Sequence, residues 1–206
     1  MNDKGILIVV SGFSGAGKGT LMKRIMEKYD NYALSISATT RAPREGEVPG
    51  REYFFKTVDE FEKMIAQDEL IEYAKYVSNY YGTPKAYIME QLEAGKDVIL
   101  EIEIQGALKV REKFPDTLLL FVTPPSAKEL EHRLTMRGTE TPEVIASRMA
   151  RACEEAEFMN HYDYLVINDD LEECVEELHE LIQREHRRVT RNMSFIDQMK
   201  RELKGE

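Results

Sequence analysis

The chain has 206 residues, a formal net charge of -10 and a sequence pI near 5.1. That length suits one compact domain with inserted subdomains, and that charge excludes a general nucleic-acid binder, whose surface must be basic. Cys153 and Cys174 are too few and too far apart for a zinc site or a disulfide framework, and no run approaches the length of a membrane span or a signal peptide, so a cytoplasmic chain with no membrane partner is expected.

The apolar run 6–10 reads as a buried strand, and Leu21, Met22, Ile25 and Met26 recur at the spacing of a helix. Between them stands Gly12-Phe13-Ser14-Gly15-Ala16-Gly17-Lys18-Gly19-Thr20. Strand, glycine-rich turn, lysine and helix form the setting of a phosphate-binding loop. Glycines let backbone N–H groups curl round an oxyanion, and the helix N-terminus adds positive potential. Lys18 supplies a point charge for the β- and γ-phosphates of a nucleoside triphosphate. In the general pattern a Ser or Thr hydroxyl follows the lysine and ligates Mg²⁺. Here Gly19 follows and Thr20 comes next, so Mg²⁺ is expected to meet the protein through water.

Residues 33–37 alternate apolar and polar as a short strand does. The stretch 38–53 follows, a turn-rich loop carrying Arg41, Arg44, Arg51 and Tyr53. It is either a solvated charged loop or a clamp for a second anion. Tyr53-Phe54-Phe55 reads as a strand, and a helix begins near Val58 with Thr57 or Asp59 as its cap. Residues 71–77 alternate with period two, and Asn79-Tyr80-Tyr81-Gly82-Thr83-Pro84 reads as the turn closing that strand. Short strands and turns over 35–84 interrupt a chain that otherwise alternates strand and helix, which marks a substrate subdomain.

A helix over 86–94 stops at Gly95, and 98–104 reads as a buried strand with Glu101 and Glu103 near its C-terminal end. Ligands of open parallel sheets sit at such ends, where an acid serves the water shell of Mg²⁺; Glu101 is the candidate, against a plain surface acid. A helix over 107–114 and a fully apolar strand over 118–122 come next. From Ser126, a helix cap, two helices carry Arg133, Arg137, Arg148 and Arg151 around a short turn at 138–142. These arginines suit a lid over transferring phosphates, or ordinary i,i+4 pairing with Glu129, Glu154 and Glu155. Residues 164–167 read as the last core strand, and Asn168-Asp169-Asp170 as the cap of a long acidic helix. The tail after Glu185 reads as a helix that packs on the core or on another subunit.

Taken together, Gly12 to Thr20, Ser37 to Arg44 with Gly46-Glu47, Ile71-Glu72, Asn79-Tyr80-Tyr81-Gly82, the segment 100–106, Arg137-Gly138-Thr139-Glu140 and Ile167-Asn168-Asp169 resemble the guanylate kinase family over nearly the whole chain to about residue 185. The resemblance implies that ATP is held by Ser14, Gly15, Ala16, Gly17, Lys18, Gly19 and Thr20. It implies a GMP phosphate held by Arg41, Arg44, Tyr53 and Tyr81, guanine read by Ser37, Glu72 and Thr83, and Glu103 beside the acceptor. Lys18, Arg137 and Arg148 become the catalytic cations. Phe13 stands where relatives carry Pro, and Glu103 where they carry Asp.

The expected architecture is an α/β P-loop NTPase fold of three layers with a five-stranded parallel core sheet. Core segments 1–34, 85–125 and 159–206 surround an inserted mixed β/α GMP-binding subdomain at 35–84 and a helical lid at 126–158. The expected reaction transfers the γ-phosphoryl group of ATP to GMP, or dGMP, with Mg²⁺, in purine nucleotide metabolism; monomer and homo-oligomer both stay open. Its rivals are a non-catalytic phosphopeptide-binding module of the same fold and a phosphokinase acting on ribose bisphosphates. The four histidines, His132, His161, His179 and His186, need no catalytic role.

Overall fold

The computed structural model describes residues 4–76, 78–136 and 141–205. Its centre is a five-stranded parallel sheet in the order β2-β7-β1-β8-β9. The strands are β1 (Leu7–Gly12), β2 (Tyr32–Leu34), β7 (Asp97–Glu101), β8 (Leu118–Thr123) and β9 (Tyr164–Ile167). The continuous apolar run of β1 follows from its central place, with both faces covered. Ile8 and Val10 point to one face, where they pack with Leu21 and Ile25 of α1 (Lys18–Lys28) and Val175 and Leu178 of α7 (Leu171–Glu185). Leu7 and Val9 point to the other, against Ile88 of α3 (Lys85–Glu93) and Ala107 and Val110 of α4 (Ile104–Lys113). Each fully buried Leu, Ile or Val contributes about 1.5–3 kcal/mol, so these two faces are the main store of stability.

A second sheet, ordered β4-β3-β6-β5, is built from β3 (Ala38–Thr39), β4 (Phe54–Phe55), β5 (Leu70–Tyr76) and β6 (Asn79–Pro84). Its own small core joins Ala38, Phe61 and Leu70 to Phe54, Met64, Ile65 and Tyr80. Phe61 comes from α2 (Val58–Ala66), whose start is fixed by Thr57 and Glu60 in a reciprocal capping box.

Three expectations change. Residues 33–37 are not one strand: β2 ends at Leu34 in the core sheet, and β3 starts at Ala38 in the second. Residues 79–84 form strand β6, antiparallel to β5, rather than a turn. Gly82 there permits close packing, since a Cβ would lie 2.9 Å from both the Glu72 carbonyl oxygen and the Tyr73 Cβ. Strand β7 stops at Glu101 and α4 already begins at Ile104, so Glu103 occupies the N-cap position instead of a strand end.

In α5 (Ala127–Met136), Ser126 Oγ accepts from Glu129 N at 3.1 Å, and Leu130 and Leu134 reach the main core. The following helix α6 (Pro142–Ala156) buries only Ala152. At the other end, Asp97 is 1 % exposed and accepts from Ile6 N at 2.8 Å, with His186 Nε2 also 2.8 Å away. Buried Glu185 accepts from the Tyr164 hydroxyl at 2.7 Å. These two acids tie the end of α7 to the sheet. The tail does form a helix, α8 (Met193–Lys204), with no buried residue. Among the described residues no helix is long and apolar enough to cross a membrane.

Candidate nucleotide-binding site

The phosphate loop leaves β1 at its C-terminal end and enters α1 without a side-chain cap, so the first turn presents backbone N–H groups to a ligand. Gly17 has φ 87°, and a Cβ there would stand 2.4 Å from Asn168 Nδ2; only glycine satisfies both limits. Asn168 is 6 % exposed, and its Nδ2 donates to the Ala16 carbonyl at 2.8 Å. The turn after β9 therefore clasps the loop from outside. Asp170 is the residue that caps α7, accepting from Glu172 N and Glu173 N, so Asn168 is a loop support and not a cap.

Lys18 Nζ donates to the Gly12 and Phe13 carbonyls at 2.8 and 3.1 Å, which holds the ammonium over the loop. From α6, Arg148 donates to Ser14 Oγ. Arg151 meets Glu103 Oε2 at 3.1 Å and Glu155 at 3.0 Å, and Arg133 meets Glu129 at 2.7 Å and the Asn168 carbonyl at 2.9 Å. The i,i+4 pairing thus occurs between Arg133 and Glu129 and between Arg151 and Glu155, whereas Arg148 reaches Ser14 of the phosphate loop. Arg137 lies outside the described residues. A cavity of about 550 Å³ is walled by Gly12, Ser14, Lys18, Glu101, Glu103 and Arg148. Thr20 and Gly19 are exposed in the first turn of α1.

A second cavity of about 490 Å³ adjoins it, sharing Glu101, Ile102 and Glu103, and reaches Ser37, Tyr53, Glu72 and Tyr81. Glu72 on β5 accepts from the Thr83 hydroxyl at 2.8 Å. Burial raises the Glu72 pKa above the ordinary carboxyl value, and that hydrogen bond opposes the rise. Thr83 is wholly buried, so it addresses the cavity through the carboxylate it orients.

Arg41 lies behind Tyr53, its guanidinium carbon 5.3 Å from the ring centroid, and pairs with Glu47 Oε1 at 2.8 Å. Tyr53 and Tyr81 stand edge to face at 6.1 Å. Arg44 donates its backbone N–H to Glu47 Oε2 at 2.7 Å and is itself exposed. Glu47 thereby organises the loop, and its pKa is lowered first by the Arg41 hydrogen bond and then by the Arg44 N–H. Sequence reasoning gave Glu47 and Asn168 no site role. Glu47 had a signal in its acid-after-arginine spacing, whereas the clasp by Asn168 depends on a fold that joins residues far apart in the chain.

The two cavities thus share one floor, with cations and a phosphate loop on one side and an oriented carboxylate on the other. The family model described as guanylate kinase matches residues 4–185. Among curated proteins, the guanylate kinase of Lactococcus lactis is 52 % identical over 191 residues, covering 93 % of each chain. That of Bacillus subtilis is 52 % identical over 187 residues, 90 % of this chain and 92 % of its own. Among solved structures, guanylate kinase from Anaplasma phagocytophilum is similar at 30 % identity and a TM-score of 0.69, covering 91 % of this chain and 89 % of that one. Matched along almost its whole length in both sequence and fold, the chain belongs to the guanylate kinase family.

Proposed function

We propose that the chain transfers the γ-phosphoryl group of ATP to GMP, giving ADP and GDP. The observation that carries this reading is the pair of adjoining cavities with their common floor at Glu101, Ile102 and Glu103, which lets a donor and an acceptor meet. ATP lies with its phosphates in the loop 14–20, against the N–H groups of α1 and the Lys18 ammonium. GMP lies in the second cavity, with Glu72 accepting from guanine N1–H and N2–H₂, a donor pair that adenine lacks. Thr83 holds the carboxylate for that task, and Ser37 lines the same cavity. Arg41, Arg44, Tyr53 and Tyr81 take the acceptor phosphate, with Glu47 fixing the loop that carries both arginines. The named contacts address base and phosphate, so dGMP is an acceptor as well.

A phosphate oxygen of GMP is already an anionic nucleophile at neutral pH and needs no general base. Catalysis then consists of alignment and of charge placed where the transition state spreads it, from Lys18, Arg148 and, by family resemblance, Arg137. Mg²⁺ keeps several waters and binds through substrate phosphates and one or two carboxylates. Glu101 and Glu103 are the acids in reach of such a water shell, and the ion would neutralise charge on the phosphates. Residues 35–84 form the acceptor subdomain, and α6 is the moving part of a lid that α5 anchors in the core. A cytoplasmic location agrees with this chemistry.

Turnover with ATP and a panel of GMP, dGMP, AMP and UMP tests the reading. GMP and dGMP should exceed the others by orders of magnitude in kcat/KM. Comparable turnover of AMP or UMP, or none with any acceptor, overturns it.

A further inference from the structure

Helix α4 turns one face toward β5, the strand that carries Glu72. A Cβ at Gly106 would lie 3.7 Å from Glu72 Oε2, so that carboxylate oxygen rests over the first turn of α4. Lys109 and Lys113 follow Gly106 at i+3 and i+7, on the same face. A helical side chain leans toward the helix N-terminus and covers the turn before its own Cα. That rule sends Lys109 back toward Gly106, whose missing side chain leaves the carboxylate uncovered. Lys109 and Glu72 accordingly stand together in the walls of two cavities, the acceptor cavity and a neighbouring one of about 450 Å³.

The other charged groups around Glu72 are committed elsewhere or bear the same sign. Lys75, on its own strand, lies over the Tyr80 ring at 5.3 Å. Lys113 pairs with Asp68 at 3.5 Å. Glu101 and Glu103 on the cavity floor and Glu112 on α4 are acids, and the phenols of Tyr53, Tyr73 and Tyr81 line the same walls. Lys109 makes no hydrogen bond or ion pair with any described residue. Burial pushes Glu72 toward its neutral form; the Thr83 hydrogen bond opposes this first, then the Lys109 charge, then that of Lys113.

We propose that Lys109 is a positioning residue for the acceptor base, the counter-charge that readies Glu72 for guanine. This rests on the reading of GMP as the acceptor and adds to it a residue outside the set that the family resemblance implies. Guanine N1–H and N2–H₂ each need an acceptor, and only the ionised carboxylate offers two oxygens free of a proton. Glu72 Oε1 already accepts from Thr83. An ammonium bonded directly to the carboxylate would compete with the base for the remaining oxygen. One that stands near without a hydrogen bond favours the charged form and leaves Oε2 to guanine.

The test is steady-state kinetics of the full chain with ATP and GMP across pH. Lys109→Gln should raise KM for GMP roughly three- to fivefold at neutral pH, the scale of a partly solvated charge pair, with kcat and KM for ATP level. The acid limb of kcat/KM for GMP should move to higher pH, and Lys109→Arg should restore both. Lys113→Gln, whose cation Asp68 already holds, should move KM less. In a Glu72→Gln background, Lys109→Gln should lose its effect, because the charge it serves is gone. With GMP still the preferred acceptor, an unchanged KM and pH limb in Lys109→Gln overturns this proposal alone. So does an equal effect of Lys113→Gln, or an equal loss in the Glu72→Gln background, which would make Lys109 an attractor of the phosphate. No preference for GMP in the parent chain would overturn the acceptor reading and this proposal with it.

Discussion

Glu72 shows a carboxylate placed against its own preference. Burial makes its charged form costly and raises its pKa, while the Thr83 hydroxyl recovers part of that cost. The ionised form is the one that can accept two guanine N–H groups. Acidification therefore removes it at a higher pH than it would an exposed glutamate, and KM for GMP should rise there while KM for ATP stays level. Because the folded-state pKa lies above the unfolded one, the group's contribution to stability is full below the unfolded value and lost as pH rises through the folded value. At neutral pH the ionised Glu72 thus costs the fold stability, and on the proposed reading that charge serves guanine. Glu72→Gln should raise Tm at neutral pH, a gain that shrinks toward about pH 4, where the unfolded carboxyl also protonates. The same change sets an amide donor against a guanine donor, an unmet hydrogen bond of about 1–3 kcal/mol. It should lower kcat/KM for GMP roughly ten- to several-hundred-fold and narrow discrimination against AMP. Melting curves across pH and steady-state kinetics with both acceptors check this; an unchanged GMP-to-AMP ratio means that guanine is read elsewhere.

The elements around the phosphate loop were the most legible, because their signal is local: an apolar run, glycines at fixed spacing and a lysine at the first helical turn. Elements made by tertiary contact were less so. Asn79, Gly82 and Pro84 carry turn chemistry, yet 79–84 is a strand because β5 and β3 flank it on either side. Residues 33–37 alternate correctly for a strand, but nothing in the alternation says that the chain changes sheets after Leu34. The same limit hid the role of Asn168, whose amide supports the loop from 152 positions away. Asn168→Ala should leave the Ala16 carbonyl without its protein donor and loosen the anion cradle. The expected cost is about 1–3 kcal/mol, seen as a rise in KM for ATP of roughly fivefold or more with KM for GMP nearly constant. A lowered Tm with normal ATP kinetics would instead make Asn168 a support of the fold alone.

At the scale of the whole molecule, the proposed donor and acceptor sides adjoin at Glu101, Ile102 and Glu103, and helix α6 lines the donor cavity through Ser147, Arg148, Arg151 and Glu155. Its hold on the core is lighter, with Ala152 buried and Ile145 and Met149 packed half-buried, whereas α5 is anchored by the buried Leu130 and Leu134. On the proposed reading the closing motion belongs to α6, and its arginines should divide by what they touch. Arg148 reaches Ser14 of the phosphate loop, where on the proposed mechanism charge develops during transfer. Arg151 pairs with Glu103 and Glu155 at a side-chain exposure of 58 %. Exposed pairs of that kind contribute about 0.2–1 kcal/mol, while a cation on a transferring phosphoryl group contributes about 10³-fold or more in rate. Arg148→Ala should thus lower kcat by on the order of a hundredfold or more, with both KM values within a few-fold of the parent. Arg151→Ala should change kcat by less than about fivefold. Single-turnover measurements on both variants separate the chemical step from lid opening, since loss of a transition-state contact slows the first turnover as well. Equal kcat in the two variants would return Arg148 to the surface ion pairs and leave Lys18, with the loop backbone, to stabilise the transferring group.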